Sequence, residues 1–238
     1  MISESQIREF VVKFQTTELN ISREYIQNMI LSSLYGEPQV GLAFKGGTAL
    51  RILKRSPRFS EDLDFTGWGK PFHIGEAIGS IARKCRDEGI SLKLKESYKT
   101  AGGWFARLAT ELYSWPIEIE MNVSLRAKGP VQTEMVLASS VIYPSYLVKS
   151  LAQDVMIAEK VQAALTRKKP RDFFDVYFIL RERLSIRKII PFKARLISQV
   201  KTLNSKELDR ELKIFLPKSY WPVVKKLPTV LKQELERL

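Results

Sequence analysis

The sequence predicts an α+β protein in which a mixed sheet is flanked by helices and followed by a helical C-terminal region. Alternating apolar and polar residues, the pattern of half-buried strands, occur in the first two-thirds of the 238-residue chain. From about residue 147 onward the apolar positions recur at helical spacing instead. Because strands and helices are segregated in this way, we expect a sheet domain over residues 1–145 and a helical domain over residues 146–238.

The first domain begins with two predicted helices, residues 4–16 and 22–34, and Ser22 is a suitable N-cap for the second. The elements expected after them are a strand at 40–44, a helix at 48–54, a strand at 62–65, a helix at 74–88 capped by Gly89, and strands at 91–97, 104–113, 117–123 and 134–141.

The second domain is predicted to consist of helices. Residues 154–166 form the first and residues 171–184 the second, in which Pro170 occupies the first helical position. Further helical segments are separated by breaks near Asn204, Pro217, Pro222 and Pro228.

Histidine and cysteine are nearly absent, which limits the chemistry available. Cys85 is the single cysteine and His73 the single histidine, so an internal disulfide, a multi-cysteine zinc site and most hydrolase triads are excluded. Carboxylates, lysines and backbone amides remain for catalysis. No stretch approaches the ~20 apolar residues of a membrane span, and the N-terminus lacks a signal-peptide pattern. We therefore expect a cytoplasmic protein without a membrane partner.

The net charge of +13 is large. Residues 181–238 contain fifteen basic and six acidic residues, so this segment contributes +9 of the net charge. One interpretation is a solvated basic surface on helices. The other is an electrostatic footprint for a polyanion, most plausibly nucleic acid. Trp104, Trp115 and Trp221 favour core or interface positions over base-stacking platforms.

A glycine pair precedes the helix predicted at residues 48–54. Gly46 and Gly47 let backbone N–H groups approach a ligand, and Thr48 starts a helix whose N-terminus attracts anions. This arrangement suits a triphosphate, although a plain strand-to-helix turn would use the same residues. The segment is neither a Walker A loop nor a dinucleotide fingerprint.

Two carboxylates separated by one apolar residue follow the helix. In a strand, Asp62 and Asp64 point to one face while Leu63 points to the other. Their Cα atoms would lie roughly 6–7 Å apart, a span that divalent cations bridge. Two unpaired acids on one face repel, so a cation or a basic partner is expected there.

A second acidic pair, Glu118 and Glu120, alternates with apolar residues on a later strand. A carboxylate from this strand would complete a two-metal site of the kind that supports in-line phosphoryl displacement without histidine. The sequence leaves open which of the two glutamates does so.

These motifs resemble the nucleotidyltransferase superfamily that shares the polymerase β palm, and within it the AbiEii/AbiGii toxin family. The resemblance spans about residues 40–180. It is carried by Gly46-Gly47-Thr48, by Arg58-Phe59-Ser60-Glu61-Asp62-Leu63-Asp64-Phe65, by Glu159-Lys160 and by Arg171-Asp172-Phe173-Phe174-Asp175.

The resemblance implies a role for each matching residue. Gly46, Gly47 and Thr48 would contact the nucleotide phosphates. Arg58 and Ser60 are further nucleotide-binding candidates: Arg58 would steady the acids or a phosphate, and Ser60 would hydrogen-bond within the turn. Asp62, Asp64 and a third acid would bind Mg²⁺, or Mn²⁺ in its place; Glu120 is favoured because Glu120-Met121-Asn122 is similar to the family's strand. Lys160 would neutralise triphosphate charge, and Asp172 and Asp175 would act in catalysis or in its support.

The function that the resemblance implies is transfer of a nucleoside monophosphate from an NTP to an acceptor hydroxyl. The protein would be the toxin of a toxin–antitoxin system linked to phage defence, neutralised by a separately encoded antitoxin. The basic C-terminal region makes RNA, such as the 3′ end of a tRNA, the preferred acceptor. The alternatives are a non-catalytic NTP- or RNA-binding module and an enzyme that modifies protein hydroxyls.

Overall fold

The computed structural model describes residues 1–36, 41–68 and 74–238, apart from the side chain of Ile74. It divides into two compact units, and each is described separately. The first unit comprises residues 1–55 and 59–151, and the second comprises residues 56–58 and 152–238. The division falls six residues after the predicted boundary because Tyr146–Leu151, expected to begin the helical part, is a strand of the sheet.

The first unit contains helices and strands in the following order: α1 (Glu4–Phe14), α2 (Glu18–Gly36), β1 (Leu42–Lys45), α3 (Gly46–Lys54), β2 (Leu63–Gly67), α4 (Ile74–Asp87), β3 (Lys93–Thr100), β4 (Gly103–Leu112), β5 (Trp115–Ser124), β6 (Thr133–Ala138) and β7 (Tyr146–Leu151). Most predicted elements are present, with ends shifted by one to three residues. The predicted α+β class is confirmed.

The strands form one seven-stranded mixed sheet in the order β3-β4-β5-β2-β1-β7-β6. The β2–β5 and β1–β7 pairs are parallel, and the other neighbours are antiparallel. The two short strands β1 and β2 are therefore central, and β3 and β6 are the edges.

One face of the sheet carries the core of this unit. Leu63 and Phe65 of β2 are fully buried, as is their neighbour Met121 on β5. Helix α2 packs against β5 and β7 and buries residues along most of its length. Residues at the intervening strand positions therefore point to the opposite face, which we call the open face.

Helix α2 begins four residues earlier than predicted. The hydroxyl of Thr17 accepts a hydrogen bond from the amide of Asn20, which makes Thr17 the N-cap. Ser22 lies inside the helix and is buried, so its predicted capping role is wrong. The Gly89 cap after α4 is present, with φ of +81°.

The second unit is helical: α5 (Gln153–Thr166), α6 (Pro170–Arg181), α7 (Lys193–Val200), α8 (Ser205–Leu212), α9 (Trp221–Lys225) and α10 (Leu227–Glu236). Helix α6 is central, because α5, α8 and α10 all pack against it. Pro170 occupies its first turn as predicted. The helix ends three residues before the predicted end, and Arg183 just beyond it adopts a left-handed φ of +55°. Among the described residues of both units, no helix is long and apolar enough to cross a membrane.

Candidate active site

Strand β2 presents Asp64 on the open face. In the parallel register with β5, Leu63 lies beside Met121 on the core face and Asp64 lies beside Asn122. Asp62 precedes the strand by one residue, so the continued alternation carries it to the same face as Asp64. The predicted pairing of two carboxylates on one face is thus consistent with the observed strand register.

The same register separates the two candidate third acids. Because Met121 is beside Leu63, the residue before it, Glu120, is the one next to Asp62. Glu118 lies a further two residues along β5, roughly 7 Å away. Glu120 is partly exposed and accepts a hydrogen bond from Nη2 of Arg107 at 2.9 Å, and this bond is the main cause of the raised pKa of Arg107.

The first turn of α3 lies directly against Asp64. Gly46 has a φ of +85°, and a Cβ atom built on it would lie 2.2 Å from Oδ2 of Asp64. Any side chain at this position would therefore displace the carboxylate. Lys45, the last residue of β1, is the register neighbour of Asp64 on the other side of β2. The glycine thus allows a carboxylate and a helix N-terminus to approach each other closely.

Two buried side chains donate hydrogen bonds to the backbone carbonyl groups of residues 60–62. The amide nitrogen Nε2 of Gln27 donates hydrogen bonds to the carbonyl oxygens of Ser60 and Glu61, at 3.0 and 2.9 Å. The hydroxyl of Thr48, which is fully buried, donates to the carbonyl of Asp62. The Thr48 hydroxyl therefore holds the backbone at Asp62, and the predicted contact of Thr48 with phosphate stays a prediction. The predicted role of the Ser60 side chain stays a prediction.

The positive charge of Arg23 acts on Asp62, in agreement with the expectation that neighbouring acids on one face need a cation or a basic partner. Arg23 of α2 pairs with Glu61 through Nη2, at 3.3 Å. Burial lowers the pKa of Arg23, while the charges of Glu61 and Asp62 act in the opposite direction. Its Nε atom is buried and has no hydrogen-bond partner among the described residues.

The donor chemistry at this face fits a hard divalent cation. Asp62 and Asp64 offer carboxylate oxygens, the ligands that Mg²⁺ prefers, and Mg²⁺ is commonly held by one or two carboxylates together with substrate phosphates. Across residues 1–36, 41–68 and 74–238, no group of three or more His, Cys, Asp or Glu side chains is close enough to hold a metal. The substrate's own oxygens would therefore have to complete the coordination.

The remaining predicted site residues lie in the second unit, and three of them, Arg58, Lys160 and Asp175, form a buried ion cluster. Asp175 of α6 is 1 % exposed. It accepts hydrogen bonds from Nε and Nη2 of Arg58, at 2.8 and 3.0 Å, and from Nζ of Lys160, at 2.8 Å. Two cations thus surround one carboxylate, leaving an excess of one positive charge.

Burial on its own would raise the pKa of Asp175, but the adjacent Arg58 and Lys160 lower it to about 2. Both oxygens of the buried Asp175 carboxylate are engaged by Arg58 and Lys160, and its predicted role in catalysis or in its support stays a prediction. Arg58 is likewise committed to Asp175. Contacts of Arg58 or Lys160 with a nucleotide stay predictions.

Asp172 is also buried, at the first turn of α6. Its Oδ1 accepts a hydrogen bond from Nη2 of Arg167 at 2.6 Å, and its Oδ2 has no partner among the described residues. A carboxylate at a helix N-terminus is favoured by the helix dipole. This position supports the alternative, structural interpretation of Asp172, and its catalytic role stays a prediction.

The single cysteine is not suited to act as a nucleophile. Cys85 is buried, and burial raises the pKa of its thiol to about 12, so a reactive thiolate is disfavoured. His73 lies outside the described residues.

Sequence reasoning missed Gln27, Arg23 and Arg107. They support the acidic face from α2 and β4, and only the three-dimensional structure brings these elements together. A detectable signal existed for Gln27 alone, because it is a polar residue among apolar helix positions.

A mixed sheet that aligns acids beside a glycine-started helix presents carboxylates and a helix N-terminus together, groups that suit a protein acting on nucleotide phosphates. The family model described as nucleotidyl transferase AbiEii toxin, type IV toxin–antitoxin system, matches residues 34–221, and the chain belongs to this family. It is therefore a nucleotidyltransferase, and the family implies a nucleotide substrate and an antitoxin partner. The match extends beyond the region in which the resemblance was predicted. None of the curated proteins matches the chain.

Solved structures have the same fold. MenT4, a nucleotidyltransferase toxin from Mycobacterium tuberculosis H37Rv, is similar over 100 % of this chain and 91 % of its own, with a TM-score of 0.69 at 14 % identity. JHP933 from Helicobacter pylori is similar over 93 % of this chain and 95 % of its own, with a TM-score of 0.58 at 19 % identity. A putative nucleotidyltransferase from H. pylori gives 0.56 at 19 % identity, over 93 % and 98 % of the two chains.

Proposed function

We propose that the protein transfers a nucleoside monophosphate from an NTP to a hydroxyl of RNA, with the 3′ end of tRNA as the preferred acceptor, and that it requires Mg²⁺ or Mn²⁺. The protein would act as a toxin in phage defence until a separately encoded antitoxin neutralises it. The observation that carries the proposal is the contact between Gly46 and Asp64, which brings a helix N-terminus to the acidic face.

The helix N-terminus suits the phosphates of an NTP, and the acids suit the metal that a reaction of the NTP requires. The backbone N–H groups at the start of α3 attract phosphate oxygens, as helix N-termini do. Asp62 and Asp64 would hold the metal. The chemistry that Mg²⁺ supplies in such a site is activation of the attacking hydroxyl and neutralisation of phosphate charge.

The chain's own residues have positioning tasks in this reaction. Thr48 and Gln27 fix the backbone before Asp64, so that Asp62 is oriented before substrate arrives. The acceptor hydroxyl attacks the α-phosphorus, a new P–O bond forms, and the bond to the β-phosphate breaks. Pyrophosphate then leaves roughly in line with the attacking oxygen.

The charge distribution supports a polyanionic acceptor. The net charge of +13 includes a surplus of nine positive charges in residues 181–238. Such a surplus attracts nucleic acid independently of sequence. It would not be required if the acceptor were a hydroxyl of an ordinary protein.

The test is transfer of α-phosphate-labelled nucleotide, from each NTP in turn, to total RNA and to a protein extract. We expect label in the RNA fraction, and we expect Asp62→Asn and Asp64→Asn to lower transfer about 100-fold or more, because each removes a metal-binding charge. Glu111→Gln is the matched control, since Glu111 is an exposed acid of β4 remote from β2 in register.

The same assay separates the two candidate third acids: Glu120→Gln should lower transfer strongly and Glu118→Gln only weakly. Absence of transfer by the wild-type protein with every NTP would contradict an enzyme and favour a binding module. Label confined to protein would contradict the RNA acceptor.

A further inference from the structure

The strand register aligns an aromatic pair with the acidic face. Asp64 lies beside Asn122, Asn122 lies beside Phe105 on β4, and Phe105 lies beside Tyr98 on β3. Directly paired residues of a sheet share a face. Asp64, Asn122, Phe105 and Tyr98 therefore form one row across the open face.

The spacing of strands sets the length of this row. Neighbouring strands lie about 4.8 Å apart, so Phe105 is about 10 Å and Tyr98 about 14 Å from Asp64, measured between Cα atoms. Stacked nucleotides rise about 3.4 Å each along a strand. The aromatic pair is thus a few nucleotides away from the acids.

The two rings form a surface that a base can cover. Their centroids are 5.1 Å apart with an interplanar angle of 35°. Tyr98 is 50 % exposed although it lies in a regular strand, and Phe105 is partly exposed. The guanidinium of Arg107 lies 5.6 Å from the Phe105 ring. An exposed aromatic pair with an arginine beside it is typical of surfaces that bind single-stranded nucleic acid.

The position of Tyr98 and Phe105 in the sheet indicates that they lie on the side of the acceptor and not on the side of the NTP. Gly46 and the start of α3 follow β1, on one side of β2, whereas β5, β4 and β3 lie on the other side. If the triphosphate binds at α3, an in-line displacement brings the acceptor hydroxyl from the opposite side. The row from Asn122 to Tyr98 therefore lies on the acceptor's side.

The edge strand carries charge suited to a nucleic-acid backbone. Strand β3 has three exposed lysines, Lys93, Lys95 and Lys99, against one acid, Glu96. At the turn that joins β3 to β4, the exposed side chain of Arg126 packs against Gly102, where a built Cβ would lie 2.3 Å from its Nε.

We propose that Tyr98 and Phe105 stack on an unpaired base of the acceptor RNA, a few nucleotides before its reacting 3′ hydroxyl, while Lys93, which shares their face of the sheet, and Arg126 contact the flanking phosphates. This inference rests on the proposed function, because it places the acceptor relative to Asp64. It adds a binding surface and a requirement that the 3′ end be single-stranded.

The test compares Tyr98→Ala with Tyr98→Phe and with Leu94→Ala. Leu94 is a matched control, because it lies on the same strand with 49 % exposure, and the register shift between Leu94 and Glu96 places it on the other face, opposite Leu108. Stacking on one ring is worth about 1–3 kcal/mol, so Tyr98→Ala should raise the KM for tRNA about 5- to 150-fold and leave the KM for NTP unchanged. Tyr98→Phe should retain the wild-type KM, because stacking needs the ring and not the hydroxyl, and Leu94→Ala should also retain it.

A direct readout uses single-stranded RNA oligonucleotides with 2-aminopurine at successive positions before the 3′ end. We expect the fluorescence of one internal position to be quenched by the wild-type protein and restored in Tyr98→Ala. An unchanged KM for tRNA in Tyr98→Ala, or quenching that persists in it, would overturn the stacking surface while transfer by the wild type still supports the proposed function. Loss of tRNA binding in Leu94→Ala to the same extent would also overturn it. Absence of transfer by the wild type would instead contradict the proposed function.

Discussion

A single carboxylate organises the second unit. Asp175 of α6 is buried between Arg58 and Lys160, and Lys160 lies on α5. Since Arg58 is only four positions before Asp62 in the chain, the Asp175 carboxylate joins that segment to both helices. Arg58 was predicted to steady the acids or a phosphate, and this role stays a prediction. In the structure its guanidinium is bidentate to Asp175, a geometry that arginine forms with carboxylates.

Asp175→Asn should destabilise the protein by about 3–5 kcal/mol, because two buried cations lose their counter-charge. The pKa of Asp175 is lowered when folded, so its stabilising contribution is present above the ordinary pKa of about 4 and is lost as pH falls towards about 2. Urea unfolding at several pH values should therefore show that the wild type loses stability across this window and that the variant loses less.

Asp172→Asn on the same helix is the control for this experiment. Its partner Arg167 is about half exposed and is rehydrated when the pair is broken, so the loss should be smaller. Equal losses in the two variants would contradict the assignment of Asp175 as the central charge.

At the scale of elements, the junction of β1 and α3 decides the geometry of the site. The chain leaves β1 at Lys45 and enters α3 at Gly46 with a left-handed φ, and this turn brings the helix N-terminus against β2. The helix was predicted to start at Thr48, whereas the glycine pair itself forms its first turn. The close contact of Gly46 with Asp64 was not predictable, because it depends on the antiparallel register of β1 and β2.

Gly46→Ala should lower kcat/KM about 100-fold, because the new Cβ would displace the Asp64 carboxylate by an ångström or more. Gly89→Ala is a matched control: Gly89 has a similar φ of +81° but nothing within 4 Å of a built Cβ. Both variants should lose about 1–2 kcal/mol of stability through the left-handed backbone, measured by urea unfolding.

Only Gly46→Ala should lose activity beyond what its stability explains. If the two variants transferred nucleotide equally well, the contact between Gly46 and Asp64 would have no role in catalysis.

On the scale of the whole molecule, the positive charge is the feature that the proposed acceptor requires. Binding of tRNA should weaken steeply with salt, because each contacted phosphate releases counterions. Lys225→Gln with Lys226→Gln, two exposed positions in the basic C-terminal region, should reduce the slope of log K against log salt by about 1–2 if both contact phosphate. Binding titrations at several salt concentrations measure this slope.

Lys13→Gln with Arg86→Gln removes the same charge from exposed positions of α1 and α4 and should leave the slope unchanged. Binding that is independent of salt, or equal effects of the two double variants, would contradict a specific role of the C-terminal region.

The sequence by itself determined the α+β class, the order of most elements and the family, and it singled out Asp62 and Asp64 as the candidate acids. These features depend on local periodicity and on short motifs, which are legible without long-range contacts. The composition also limits disulfide, zinc and triad chemistry, because one histidine and one cysteine cannot form the usual clusters.

Only the tertiary structure decided which residues meet. Thr48 and Gln27 contact the backbone around Asp62, Arg58 contacts Asp175, and the row from Asp64 to Tyr98 exists only because four strands pair in one register. Tyr98 and Phe105 carry no sequence signal of their own, and the tryptophans were the aromatic residues considered for base stacking. The physical reason is that sheet pairing joins segments distant in the chain, so the neighbours of a strand residue are set by register and not by sequence distance.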